Sequence, residues 1–361
     1  MAVFASVLVG AGLLGAVLAY VGVETLRDSS TGRRVTSAEP DEPGYEALLE
    51  PTPTMLVMHE REGLLQSAVV LSLGAGGQGG SVLLLPPSVE VGDDDGARLS
   101  AVFAYERSEE ALRAAAEIVS GVGVQEMVVL DDARWAELVA PVAPLSVENP
   151  DEVGEFPAGA VSLGAEDVAA WLTATDESET ELGVLYRHEL FWQAWVEAIA
   201  AAGRSDAVPG ELDSGLGRFV RGLSGGPLRV ATLPVTEGAD LLGNVLYHVD
   251  RDVLDGLITD LVPFPIGTAT SPRTRVRLLD GTGDQAHVGD LAPAVAAAGS
   301  SVVVVGNAEA FDYDTTEIRY HQPAQRAAAE RLQRALGAGE VVEDVRPIDA
   351  FDVTIVLGTD T

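Results

Sequence analysis

The chain has 361 residues, enough for two ordinary domains with flanking segments. It contains no cysteine, which excludes disulfides, thiolate metal sites and a thiol nucleophile. All 22 basic residues are arginine, set against 56 acidic ones, and the net charge of -34 argues against a nucleic-acid partner, whose phosphates would be repelled.

Residues 2–23 carry no charge and centre on Leu8, Leu13, Leu14, Val17 and Leu18. A helix of that length, at about 1.5 Å per residue, spans a hydrocarbon core of roughly 30 Å. Residues 1–23 are therefore expected to form a single transmembrane helix or signal anchor. The rival is a cleaved signal peptide, because Val17-Leu18-Ala19 fits a small-residue cleavage pattern and would leave Tyr20 as the new N-terminus. Against it, no basic region precedes the apolar run, and the run continues past the site. Arg27, Arg33 and Arg34 follow the span, and the positive-inside rule taken alone puts the C-terminus inside.

Residues 24–54 are polar and interrupted by Pro40, Pro43, Pro51 and Pro53, which predicts a juxtamembrane linker. A mixed α/β pattern then begins. Met55–Met58, Ala68–Leu73 and Ser81–Leu85 read as strands, the last ended by Pro86-Pro87. Glu109–Ser120 reads as a helix with Leu112, Ala115, Ala116 and Val119 on one face. Glu126–Leu130 reads as a buried strand, followed by Asp131-Asp132 as a helix start. Ala165–Leu172, Glu189–Ala202 and Arg251–Leu261 read as helices, and Leu228–Leu233 as a strand. The prolines and glycine of 263–273 mark a second linker between a domain over 55–262 and another over 274–361.

Several local patterns invite chemistry that their context denies. Gly74-Ala75-Gly76-Gly77-Gln78-Gly79 spells the dinucleotide fingerprint, but a strand follows where a helix must open, so a hairpin loop is expected. Asp93-Asp94-Asp95 lacks calcium-loop spacing and reads as a solvated turn, as do Asp312 and Asp314. His59, His188, His248, His287 and His321 are scattered, with no pair at metal-ligand spacing. Trp171, Trp192 and Trp195 fall in and around one helix and are expected in the core, with a lipid- or sugar-contacting face as the other reading.

The C-terminal segment carries the most specific pattern. It runs from Arg275-Val276-Arg277-Leu278-Leu279-Asp280-Gly281-Thr282-Gly283 through Val302-Val303-Val304-Val305-Gly306-Asn307-Ala308 and Tyr313-Asp314-Thr315-Thr316-Glu317-Ile318-Arg319-Tyr320 to Asp352-Val353-Thr354-Ile355-Val356-Leu357-Gly358. That order resembles the C-terminal domain of LytR-type envelope proteins, with Asp280 in place of that family's Asn.

Residues 55–261 resemble, by order and spacing, the LytR-CpsA-Psr catalytic domain. Arg98 through Tyr105, Gly121 through Val139, and Leu182-Gly183-Val184-Leu185-Tyr186-Arg187-His188 carry the likeness. The resemblance implies an envelope protein with its bulk outside the cell membrane, and we follow it on orientation. It also implies transfer of glycopolymers from a polyprenyl-pyrophosphate carrier to peptidoglycan. That reaction needs carboxylates to hold a divalent metal and arginines to neutralise the leaving group.

The corresponding positions here are depleted. The first acidic ligand falls at Gln66, and the Pro-Arg-Asp-Thr motif becomes Pro86-Pro87-Ser88-Val89. The window Thr173–Glu177 holds no arginine, Val184 replaces the first arginine of the helix start, and only Arg187 survives, followed by His188 for Gln. Arg61 is a candidate stand-in for one basic group. Arg187 is the one candidate substrate-binding residue, with a salt bridge to Glu181 or Glu189 as its structural reading.

The expectation is a pseudoenzyme with no catalytic residues, no metal and no cofactor. It would be a non-catalytic binding or scaffolding protein in cell-wall glycopolymer attachment. Its partners would be the membrane, a wall polymer or polyprenyl-linked lipid, and active paralogues. The alternative is an active transferase, which alone would need magnesium.

Overall fold

The computed structural model describes residues 38–92, 97–176, 179–269, 272–345, 348 and 350–361. The predicted span over 1–23, the start of the 24–54 segment and the Asp93-Asp94-Asp95 turn lie outside these residues. Among the described residues, no helix is long and apolar enough to cross a membrane. The described chain divides into two compact units, Thr52–Ser271 and a second made from residues up to Pro51 together with Pro272–Thr361.

The stretch expected as a linker over 24–54 contains strand β1 (Glu46–Leu48), which belongs to the second unit. Three residues flanked by prolines give no alternation to read, so partner strands rather than local sequence define β1.

The first unit is built on β2 (Thr54–Arg61), β3 (Leu64–Leu73), β4 (Gly80–Leu85), β5 (Glu126–Leu130) and β8 (Leu228–Thr232). Their order across the sheet is β5-β2-β3-β4-β8. β2, β3 and β4 form an antiparallel meander, while β5 and β8 join it parallel at the two edges. The glycine run 74–79 turns between antiparallel β3 and β4, as the hairpin reading expects.

Consecutive residues of these strands are buried on opposite faces. Met55, Val57, Val69, Leu71, Val82 and Leu84 face one core, and Leu56, Met58, Ala68, Val70, Leu83 and Leu85 the other. A sheet covered on both sides gives near-continuous apolar strands rather than alternating ones.

On the second of these faces lie α1 (Leu99–Tyr105), α2 (Glu109–Ser120) and a helix over Arg251–Leu261. On the first face lie α3 (Asp132–Val139), α4 (Val168–Thr173), α5 (Glu181–Ala202) and α6 (Gly215–Ser224); the helix over 251–261 is α7. Two antiparallel hairpins complete the unit, β6 (Leu145–Asn149) with β7 (Gly159–Leu163) and β9 (Val235–Ala239) with β10 (Val245–Val249). The hydroxyls of Ser72 and Ser81, paired across β3 and β4, both donate to the carbonyl of Leu261 at the end of α7. They satisfy one of the orphan carbonyls that every helix end presents.

Helix α5 begins eight residues before the expected Glu189, at Glu181, with Thr180 as its N-cap accepting from the Gly183 amide. The early turns hide from periodicity because polar Arg187 and His188 occupy buried positions.

The second unit is a six-stranded mixed sheet in the order β1-β12-β11-β15-β13-β14. Its strands are β11 (Thr274–Asp280), β12 (Ser300–Asn307), β13 (Glu317–Tyr320), β14 (Glu340–Glu343) and β15 (Val353–Leu357). β11, β12 and β15 run parallel; helix α8 (Gln285–Ala297) connects β11 to β12, and α9 (Arg326–Leu336) connects β13 to β14. The α/β class expected from the sequence is thus present in both units.

Candidate functional site

Sheet topology brings the positions singled out in the first unit to one end. The carboxyl ends of β2, β4, β5 and β8 and the start of β3 lie together, since Met58 pairs with Ala68, Ala68 with Leu85, and His59 with Leu130. In open α/β sheets this is the end where ligands bind.

At the end of β2, the His59 Nε2 faces Asp132 Oδ1 at 2.8 Å. The contact arises because β5 runs parallel beside β2, so the residues following Leu130 arrive next to His59. Asp131 caps α3 by accepting from the Arg134 amide, leaving Asp132 in the first helical turn to turn back toward the histidine. Arg61 Nε lies 3.4 Å from the other Asp132 oxygen, and its Nη1 donates to Thr173 Oγ1 at the end of α4. The His59 side chain is fully buried, whereas Arg61 and Asp132 are each about two-fifths exposed, at 43% and 41%.

Burial lowers the His59 pKa, and the hydrogen bond and charge of Asp132 oppose the shift. The deeper His188 is pushed down to about 4, first by burial. As the neutral imidazole it donates from Nε2 to the Leu172 carbonyl.

Beneath His59 an aromatic cluster fills the space between sheet and helices. Trp135 stands edge-on to His59 at 6.0 Å and meets Phe191, Trp192 and Trp195 at 5.3, 5.9 and 5.7 Å. All four of these large rings are buried, as is Trp171, whose indole N–H donates to Asn149. The tryptophans therefore form core.

Arg187 lies on the second turn of α5 and is 3% exposed. Its Nη1 donates to Glu179 and its Nη2 to the carbonyl of Ala174. Its ion-pair partner is thus Glu179; Glu181 and Glu189, the expected partners, bind the Ser88 amide and the Thr232 hydroxyl. Burial lowers the Arg187 pKa, and Glu179 opposes that shift. A Cβ at Gly183 would sit 3.2 Å from the Glu179 Cγ, a tight contact that glycine avoids.

Glu181 Oε1 accepts from the Ser88 N–H at 2.9 Å. Ser88 follows β4 and stands where the resemblance expects the Asp, next to Pro87 where it expects the Arg. Arg98, at the start of α1, is paired with Asp240 at 2.7 Å. Gln66 stays on β3, its amide reaching only the Leu64 carbonyl at 3.4 Å.

Of the sequence-predicted positions, Ser88 and Arg187 meet the start of α5 and the turn before it, Thr173 is bound to Arg61, and Gln66 stays apart on β3. His59 and Asp132 are the partners that sequence reasoning missed. The sequence offered only half of the signal, an Asp-Asp helix start directly after β5; the pairing of β5 with β2, which brings it to His59, comes from the fold.

A divalent cation does not fit this cluster well. Both oxygens of Asp132 are engaged by a histidine and an arginine, and Glu179 faces Arg187. Among the described residues, no group of three or more His, Asp or Glu side chains is disposed to hold a metal ion.

Residues 273–361 match the family described as LytR cell envelope-related transcriptional attenuator, so the second unit carries a domain of that family. No curated protein matches the chain. Among solved structures, Bacillus subtilis TagV is similar at 14% identity over 59% of this chain and 97% of its own, with a TM-score of 0.49. B. subtilis TagT gives 12% identity over 63% and 93%, with a TM-score of 0.47. A LytR-Csp2A-Psr enzyme from Actinomyces oris gives 15% over 56% and 88%, with a TM-score of 0.44.

Proposed function

We propose that this is a membrane-anchored, single-pass cell-envelope protein with its bulk outside the membrane. Its first unit acts as a non-catalytic LytR-CpsA-Psr-like binding or scaffolding module in cell-wall glycopolymer attachment. Wall polymer, polyprenyl-linked lipid or active paralogues would be its partners. The family match of the C-terminal unit supports the envelope setting.

The observation that carries the non-catalytic reading is the state of Arg187. A phosphate-binding arginine must present its fork to the ligand. Here the fork is spent on Glu179 and Ala174 within a buried pocket of the protein's own making. Freeing it would break an ion pair whose arginine is buried and whose carboxylate is only part-buried, 19% exposed. Glu181 adds a second negative charge beside Ser88, where an incoming pyrophosphate would need a positive one.

One observation favours the transferase alternative. Arg61 and Asp132 keep a cation and a carboxylate partly open to solvent at the same end of the sheet.

The deciding experiment incubates residues 24–361 with a short polyprenyl pyrophosphate, with and without magnesium, for wild type, Arg61→Ala and Arg187→Ala. The expected result is no magnesium-dependent turnover in any of them. Turnover in wild type that is lost in either variant would overturn the non-catalytic reading and restore the transferase.

A further inference from the structure

β12 is flanked on one side by β11, and its other edge is covered by residues that precede the whole first unit. β1 pairs antiparallel with it, Glu46 opposite Gly306, Ala47 opposite Val305 and Leu48 opposite Val304. Further main-chain bonds extend the contact. The Gly44 amide donates to the Ala308 carbonyl at 2.8 Å, the Asn307 amide to the Tyr45 carbonyl at 2.7 Å, and the Leu49 amide to the Val303 carbonyl at 2.9 Å.

Gly306, Asn307 and Ala308 each serve this contact. A Cβ on Gly306 would lie 2.0 Å from the Tyr45 carbonyl oxygen. Gly306 is not among the glycines with positive φ, so its own backbone would accept any residue. The docked segment alone requires glycine there. Asn307 is 2% exposed, and its side-chain amide donates to the carbonyls of both Pro40 and Glu42, at 2.9 and 2.8 Å. On the neighbouring strand, Arg277 pairs with Glu46 while its guanidinium lies 5.4 Å over the Phe351 ring.

We infer that the edge of β12 opposite β11 is a peptide-binding site of the strand-addition type. Its ligand is an extended acidic segment, and the protein's own residues 40–49 occupy it as an intramolecular ligand. Main-chain hydrogen bonds supply affinity, as in other strand-addition sites, and side-chain readout supplies specificity. The readout has two parts: Asn307 reads two carbonyls of a turn entering the strand, and Arg277 reads a carboxylate on the strand itself. The family match covers 273–361, so the domain it delimits is one strand short of the sheet seen here.

The test separates tether from binding. A specific protease site inserted between Glu50 and Pro51 of the full chain allows the connection to be cut after folding. The fragment ending at Glu50 is expected to stay with the remainder on size-exclusion chromatography. Gly306→Val is expected to release it, since valine suits a strand but blocks the approach of Tyr45. Glu46→Arg changes only the ligand segment, leaves the receiving domain untouched, and is expected to weaken retention about tenfold. Adding Arg277→Glu to Glu46→Arg is expected to return retention toward wild type. Release of the fragment from cut wild type, or equal retention in Gly306→Val and Glu46→Arg, would overturn the inference.

Discussion

Arg187 and Glu179 form an ion pair folded back over the start of α5, with the arginine 3% exposed and its fork shared between that carboxylate and a main-chain carbonyl. The pair gives Arg187 a structural occupation that is measurable apart from any ligand.

Removing Glu179 strands a buried arginine, whereas removing Arg187 leaves a part-buried carboxylate without its cation. Glu179→Ala is expected to destabilise the first unit by about 3 kcal/mol, read from urea unfolding, and the loss of charge pairing in Arg187→Ala by less. Replacing both, as Arg187→Met with Glu179→Leu, is expected to cost far less than the sum of the singles. A stabilising Arg187→Ala would instead mark an arginine held in strain for a ligand.

His188 makes stability depend on pH in a defined window. Its folded pKa, about 4, lies below the unfolded value of 6.5, with burial as the main cause and His59 and Arg187 adding to it. Between these values the unfolded chain binds the extra proton, so stability rises with pH. The contribution is complete above about pH 6.5 and is lost progressively as pH falls toward 4. The full swing is about 3 kcal/mol for His188, and His59 shifts in the same direction. Urea midpoints at pH 7, 5.5 and 4.5 should fall in that order, and His188→Gln should flatten the trend.

Trp135 is the hub of the aromatic cluster, touching His59 and three rings of α5. Trp135→Ala is expected to cost about 4 kcal/mol through the cavity it leaves. Trp135→Phe should cost much less, because it keeps most of the ring volume and removes a buried indole N–H that has no partner among the described residues. Loss of near-ultraviolet circular dichroism in the alanine variant alone would check the assignment.

Asp280 replaces the asparagine that the C-terminal pattern leads one to expect. It is fully buried; Oδ1 accepts the Thr282 amide and hydroxyl, and Oδ2 has no partner among the described residues. Asp280→Asn keeps the accepting oxygen and removes a buried charge. It is expected to raise stability by about 1 kcal/mol in thermal or urea unfolding.

The legible parts of this fold are those where local chemistry and burial agree. The central strands show as apolar runs because both faces of the sheet are covered, the apolar face of Leu112, Ala115, Ala116 and Val119 marks α2, and Asp131 announces α3 by capping it. The start of α5 was legible from the resemblance but not from periodicity, because Arg187 and His188 sit where a periodic helix shows apolar residues. The hairpins of β6–β7 and β9–β10 show little more than short, half-exposed strands. Arg187 itself stood out in the sequence, but Glu179 as its partner depends on the turn before the helix. The His59–Asp132 contact joins residues 73 apart and exists only through the parallel pairing of β2 and β5.

The covered edge of β12 also has a temporal side. Glu46 and its partner Gly306 are separated by roughly 260 residues of chain. At about 5–20 residues per second of synthesis, the early strand waits some tens of seconds for the edge that receives it. The strand of the C-terminal sheet that waits longest for its partner is therefore the first one made. A chain cut short before β12 would carry that strand with nothing to close upon, distinguishing an unfinished product from a complete one.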